Sequence, residues 1–253
     1  MFCTRIGLFF VILLSVGVFV PQAQAEGFSR RTFIAPPPSQ NGKVKIAFFD
    51  ADGTLRVSKS GGPSANGAND FIILPFVPDK IHELVANGYL VAIVSNQAGI
   101  PRMVTFAGAE GALSNMVGEL KKLDATVHYF DFAEDRGPDR KPGAGMAQRL
   151  EKLLASLDSR LMVDWANSIM VGDAAYIKGE TRPDGFEGYN FTNTDRLFAE
   201  NLKIRFIEAA EFFGWNKFGS RELDTHQRLE EFLARNPGLK DRLAYCANLL
   251  MKP

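Results

Sequence analysis

The run Lys43-Val44-Lys45-Ile46-Ala47-Phe48-Phe49, followed at once by Asp50-Ala51-Asp52-Gly53-Thr54, constrains this chain more than any other stretch. A short, nearly continuous apolar run predicts a strand buried on both faces, as in a parallel sheet. That strand delivers Asp50 and Asp52 together at its carboxyl end. Two carboxylates at this spacing can share one pocket, one acting as nucleophile and the other as acid and base. The same five residues also suit a plain strand-end turn, with Asp as turn former and Gly supplying positive φ.

The elements that follow alternate. Helical spacing of Ile81, Leu84 and Val85 predicts a helix over 78–87, closed by Gly88, and Tyr89 to Ser95 reads as a second buried strand. Further on, the pattern predicts a helix over 109–123, a strand over 126–132, a helix over 145–157, a strand over 168–171 and a helical turn over 208–213. Residues 53–69, rich in Gly, Ser and Asn, read as a loop. Strands alternating with helices predict an α/β fold, a doubly wound parallel sheet flanked by helices. Ligands of such sheets bind outside the carboxyl ends of the strands. That places the chemistry at Asp50 to Thr54, Ser95 to Gln97, the loop reaching Lys141, and Asp173.

Composition narrows the partners. The 253 residues carry 29 basic and 29 acidic side chains, so no global charge favours nucleic acid or membrane. Ordinary hydrophobic content, 46%, excludes a disordered chain, and two cysteines exclude a disulfide scaffold. Residues 1–25 combine Arg5, an apolar run from Ile6 to Val20 and the triplet Ala23-Gln24-Ala25, the pattern of a cleavable signal peptide. The expectation is an exported protein with no membrane span after cleavage, an uncleaved N-terminal anchor being the alternative. Cleavage after Ala25 removes Cys3 and leaves Cys246 alone, so no disulfide and no Cys-rich zinc site is expected. The remaining organisation reads as a Pro-containing linker over 26–42, one α/β domain over 43–220 and a helical extension over 221–253 split at Pro237-Gly238.

Three residues join the Asp50–Asp52 pair, each just past another strand or on the adjoining loop. The Ser95 hydroxyl and the backbone N–H groups after it can hold phosphate oxygens, and Lys141 can add a cation to the same oxygens. Asp173 supplies a third acid, and hard oxygen donors of this kind favour Mg²⁺. Taken singly, Ser95 also suits a helix cap, Lys141 a solvated charge and Asp173 a turn.

In this order the residues resemble the motifs of the haloacid dehalogenase (HAD) phosphohydrolases, DxDG(T/V), S/T, K and D. Within that superfamily the chain is similar to the polynucleotide kinase 3′-phosphatase domain over about Lys45 to Trp215. The pieces are FFDADGTLR, the Ser60-Gly61 loop, VSNQAGI, DRKPGAGM, VGDAA, FTNTDRLFAENL and EFF. SNQAGI also resembles the histidinol-phosphate and heptose-bisphosphate phosphatases. Those relatives usually carry a Cys/His zinc cluster, which this sequence cannot supply.

The resemblance implies a HAD-like fold with little or no cap domain and a Mg²⁺-dependent phosphatase acting on 3′-phosphorylated DNA or oligonucleotide ends through an aspartyl-phosphate. It makes Asp50 the nucleophile and Asp52 the acid/base. Ser95, Asn96 and Lys141 would bind phosphate, and Asp50, Asp173 and the Asp52 backbone carbonyl would ligate Mg²⁺. Asp195 would orient the metal site or fix its loop. Arg140, Lys178 and Arg182 are candidate substrate contacts, together with Arg102 and Arg56. The family continues GDAA with Gly-Arg, whereas Tyr176-Ile177-Lys178 stands here, so the loop over the site differs. No G-x-x-x-x-G-K-[ST] occurs, so no ATP site is expected. The alternatives are a nucleotide or sugar-phosphate phosphatase and a silent HAD-like binding protein.

Overall fold

A computed structural model describes residues 27–60, 62–134, 136–175, 192–214 and 234. The signal-peptide reading, Cys246 and all but one residue of the C-terminal extension lie outside them. Among the described residues, no helix is long and apolar enough to cross a membrane.

In chain order the elements are β1 (Lys43–Phe49), β2 (Arg56–Val57), β3 (Ile72–Ile73), α1 (Val77–Ala86), β4 (Tyr89–Asn96), α2 (Phe106–Lys122) and β5 (Tyr129–Ala133). There follow α3 (Gly145–Leu157), β6 (Met162–Val163), a 3₁₀ turn over Trp165–Asn167, β7 (Ile169–Gly172), α4 (Thr194–Leu202), β8 (Arg205–Glu208) and α5 (Ala209–Phe212). The main sheet runs β5-β4-β1-β7-β8, every pair parallel, with β6 also beside β1. A small antiparallel pair, β2 with β3, stands apart.

Period-two alternation along β1 explains the layering. Ala47 and Phe49 face a core shared with Val77, Ile81 and Leu84 of α1 and Leu113, Met116 and Leu120 of α2. Val44, Ile46 and Phe48 face a second core with Met146, Leu150 and Leu154 of α3 and Phe198 of α4. Both faces of the central strand are therefore buried, which is why its sequence is apolar without alternation. The chain winds from β1 through β4 to β5, then crosses back to the other side of β1 for β7 and β8. The reversal falls at β1, so the crevice of this fold opens at the carboxyl end that carries Asp50.

Boundaries moved where side chains replace backbone partners. The strand expected over 126–132 begins at Tyr129 because His128 donates its N–H to the Val91 carbonyl while its Nδ1 accepts the Val91 N–H. Ser168 behaves alike before β7: its Oγ accepts the Ile46 N–H and donates to the Asp164 carbonyl. The helix expected from residue 109 starts at Phe106, since Thr105 caps it by accepting the Gly108 N–H. The stretch read as a loop over 53–69 contains β2. The elements β3, β6, α4 and β8 were not anticipated.

Residues 27–42, expected as a lead-in linker, are stitched to the outer edge of β5. Arg31 donates its N–H to the Phe130 carbonyl and Ile34 to that of His128, and Phe28 donates to Ser114 Oγ. This segment covers a sheet edge that would otherwise offer unpaired backbone groups.

Candidate active site

The first acid continues the sheet. Asp50 donates its N–H to the Val171 carbonyl at 3.0 Å, so its side chain leaves β1 in register with β7. The chain then turns sharply, the Ala51 carbonyl accepting from the N–H groups of Thr54, Leu55 and Arg56. Gly53 sits at φ +80°, and a Cβ there would lie 2.9 Å from the Asp173 carboxyl carbon. Glycine is required twice over, by the backbone conformation and by the approach of Asp173. Gly172 plays the second part for Asp195, whose Cβ would stand 2.7 Å from an added methyl.

Three carboxylates converge as a result. Asp50, Asp173 and Asp195 place ligand oxygens within 4.8 Å of one another. Lys141, fully buried, lies among them, its Nζ 2.5 Å from Asp50 Oδ1 and 2.7 Å from Asp195 Oδ1. Asp195 is set by the first turn of α4 and accepts the Ala174 N–H on Oδ2 at 3.1 Å. Thr54 Oγ1 donates to Asp173 at 3.4 Å.

The electrostatics record a shortage of positive charge. Burial pushes the Asp50 carboxyl up to about 7; the Lys141 ammonium draws it back, and the charges of Asp195 and Asp52 add to the rise. Burial likewise holds Asp173 well above the usual carboxylate range, reinforced by Asp50 and Asp195. For Lys141 burial opposes the charge, but Asp195 and Asp50 outweigh it and keep the ammonium protonated. Three carboxylates beside one ammonium cannot all ionise without a further positive charge to balance them. An all-oxygen, carboxylate-rich donor set of this kind suits a hard divalent cation such as Mg²⁺.

Asp52 belongs to a separate constellation. Arg56 Nε donates to its Oδ1 at 2.8 Å, and Gln97 Nε2 donates to its Oδ2 at 2.7 Å. Gln97 Nε2 also lies 2.8 Å from Ser95 Oγ, so one amide ties the second acid to the strand-end hydroxyl. The carboxylate of Asp52 is therefore outside the metal-type cluster.

Other expected residues fall as follows. Asn96 is committed to Lys141: its Oδ1 accepts the Lys141 N–H at 2.9 Å and its Nδ2 donates to the Lys141 carbonyl at 3.0 Å. Its side chain fixes the lysine backbone and uses one of the two Nδ2 hydrogens to do so. Of the N–H groups after Ser95, that of Gln97 is taken by the Ala133 carbonyl. Arg56 is no substrate contact; it is fully buried against Asp52. Arg102 is exposed in the segment after β4, and Arg140 is half-buried beside Lys141. Lys178 and Arg182 lie outside the described residues. Gln97 lies within the Ser95 to Gln97 stretch where the sequence places chemistry, but had no role assigned to it; its two-residue spacing from Ser95 puts both on one side of an extended chain.

A family model, polynucleotide kinase 3 phosphatase, matches residues 45–213. The chain is 30% identical over 193 residues to a bifunctional polynucleotide phosphatase/kinase of Schizosaccharomyces pombe, covering 76% of this chain and 43% of that protein. It is 25% identical over 201 residues to a polynucleotide 3′-phosphatase of Arabidopsis thaliana, covering 74% and 26% respectively. The chain thus spans less than half the length of either of these relatives. A HAD-like protein from Mesorhizobium loti shares the fold, with a TM-score of 0.50 at 17% identity over 84% of this chain and 97% of that one. With its acids gathered around one buried lysine on a doubly wound sheet of HAD-like fold, the chain belongs to the polynucleotide kinase 3 phosphatase family and is a phosphatase.

Proposed function

We propose that this protein removes the 3′-phosphate from DNA or oligonucleotide ends, with Mg²⁺ as cofactor and an aspartyl-phosphate formed on Asp50. The observation that carries the reading is the convergence of Asp50, Asp173 and Asp195 around Lys141 at the carboxyl ends of the strands. Asp50, Asp173 and Asp195 would hold the cation, which when bound neutralises charge on the phosphoryl oxygens. Asp50 attacks phosphorus, and Lys141, fixed by Asn96, offers its ammonium to the phosphoryl oxygens. Ser95 supplies a hydroxyl to the same group. Asp52 stands apart from the cluster, held by Arg56 and Gln97, and is the group available to hand a proton to the departing oxygen and later to take one from water.

The substrate panel that tests this is a 3′-phosphorylated oligonucleotide, its 5′-phosphorylated twin, a mononucleotide and a sugar phosphate, each with Mg²⁺ or EDTA. Release selective for the 3′-end, dependent on Mg²⁺ and lost in Asp50→Asn, is expected. Equal release from the small phosphates would contradict the polynucleotide assignment. Export forms part of the same proposal and rests on residues 1–25. N-terminal sequencing of protein recovered outside the cytoplasm should begin at Glu26; full-length protein retained in the cytoplasm would contradict it.

A further inference from the structure

Arg56 is an unusual residue to find where it is. It is fully buried, on the two-residue strand β2 beside Ile73 of β3, and its backbone is already pinned by the turn after Asp50: its N–H donates to Ala51 and its carbonyl accepts from Gly53. The guanidinium points back across the turn to Asp52, with Nε 2.8 Å from Oδ1 and Nη2 3.5 Å from Oδ2. Its remaining nitrogen, Nη1, is buried without a hydrogen-bond partner among the described residues. Burying a guanidinium with one nitrogen unmatched is expensive, and an aliphatic side chain would fill this place at less cost to stability. Stability alone does not account for the arginine.

What the arginine does achieve is geometric. Arg56 grips one oxygen of Asp52 and Gln97 the other, so the carboxylate plane is fixed from two sides. The Lys141 ammonium is meanwhile occupied by Asp50 and Asp195. We propose that Arg56 is a positioning residue that holds the Asp52 carboxylate oriented for proton transfer to the leaving oxygen. The inference rests on the reading of Asp52 as acid and base given above. In the first step an Asp50 oxygen bonds to phosphorus, the bond from phosphorus to the leaving oxygen breaks with its electron pair on that oxygen, and the oxygen takes the proton from Asp52. In the second, water attacks phosphorus and gives a proton to Asp52 while the bonding pair returns to the Asp50 carboxylate. The sum is phosphomonoester plus water to alcohol plus phosphate. Misorientation of Asp52 harms the first step in proportion to how badly the leaving group needs a proton.

That dependence provides the test. A 3′-phosphorylated oligonucleotide expels an alkoxide, which needs the proton, whereas p-nitrophenyl phosphate expels a phenolate, which does not. Their values of kcat/KM both report steps up to the first leaving-group departure, and the ratio of the two cancels any loss of correctly folded protein. Asp52→Asn should lower the alkyl-to-aryl ratio by about 10²- to 10⁴-fold, the usual contribution of a general acid. Arg56→Leu should skew the ratio the same way by roughly 10- to 100-fold, as removal of an orienting partner does, and Arg56→Lys should recover part of it. A skew in Asp52→Asn with an unchanged ratio in Arg56→Leu would overturn the positioning role and leave the reading of Asp52 standing. No skew in Asp52→Asn would overturn the reading of Asp52, and the role of Arg56 with it.

Discussion

Two clusters of buried charge among the described residues are balanced differently. At the β5 edge, Asp131 is fully buried and bonded to Arg31 at 2.9 Å and Arg149 at 2.8 Å, while Arg149 reaches on to Asp139 at 2.6 Å. Two arginines face two aspartates there, and Asp131 also accepts the Phe132 N–H. At the carboxyl ends of β1 and β7, three carboxylates face one lysine. A balanced cluster with its acceptors filled holds structure together: it fastens residues 27–42 to the sheet. An unbalanced one is kept at a cost by its surroundings, and such a cost at a strand-end crevice marks a place built to receive positive charge.

The contrast can be broken by neutralising one acid on each side. Asp131→Asn leaves two arginines facing a neutral amide and should destabilise the fold by about 3–5 kcal/mol, the usual penalty for breaking a buried pair. Denaturant unfolding would measure it, and a loss below about 1 kcal/mol, as for an exposed pair, would show that the edge cluster is not structural. Asp173→Asn in the crevice should act with the opposite sign. Burial and its acidic neighbours disfavour its charge, so removing that charge should raise the melting temperature in EDTA.

The β5 edge carries its own pH sensitivity, which sharpens the comparison. Burial pushes the His128 imidazole down to about 4, and its Nδ1 must stay unprotonated to accept the Val91 N–H. In the unfolded chain the same group titrates near 6.5. Between these values the unfolded state binds the extra proton, so the contribution is intact above pH 6.5 and drains away as pH falls toward 4. The full span is worth up to about 3 kcal/mol. Unfolding of His128→Gln at pH 7 and pH 4.5 should show a shallower loss than the wild type; an equal loss would exclude His128 as the source.

Much of this was legible in the sequence, for a physical reason. β1 and β4 are buried on both faces, so their apolar runs are unmistakable, and strand-end acids follow from the run that delivers them. The helix over 145–157 was placed to the residue. Three motif positions, Asp50, Ser95 and Asp173, lie at strand ends as the sequence places them, and Lys141 lies on the loop after β5. What escaped was whatever depends on where a side chain points. Arg56 looked like a surface cation until the turn folded it inward onto Asp52. Nothing in the sequence showed that the Asn96 amide pairs with the backbone of Lys141. His128 and Ser168 shortened two strands by lending side chains to the ladder, and β2, β3 and β6 are too short to leave a periodic trace.

The central claim is that the surplus of buried carboxylate around Lys141 is a divalent-cation site. Its most direct test is the melting temperature of the wild type and of Asp173→Asn, each titrated with Mg²⁺ from an EDTA-treated start. Mg²⁺ at a hundred times its dissociation constant should stabilise the wild type by about 2.7 kcal/mol, seen as a rise in melting temperature, while Asp173→Asn stays flat. Equal shifts in both proteins, or none in the wild type, would contradict it.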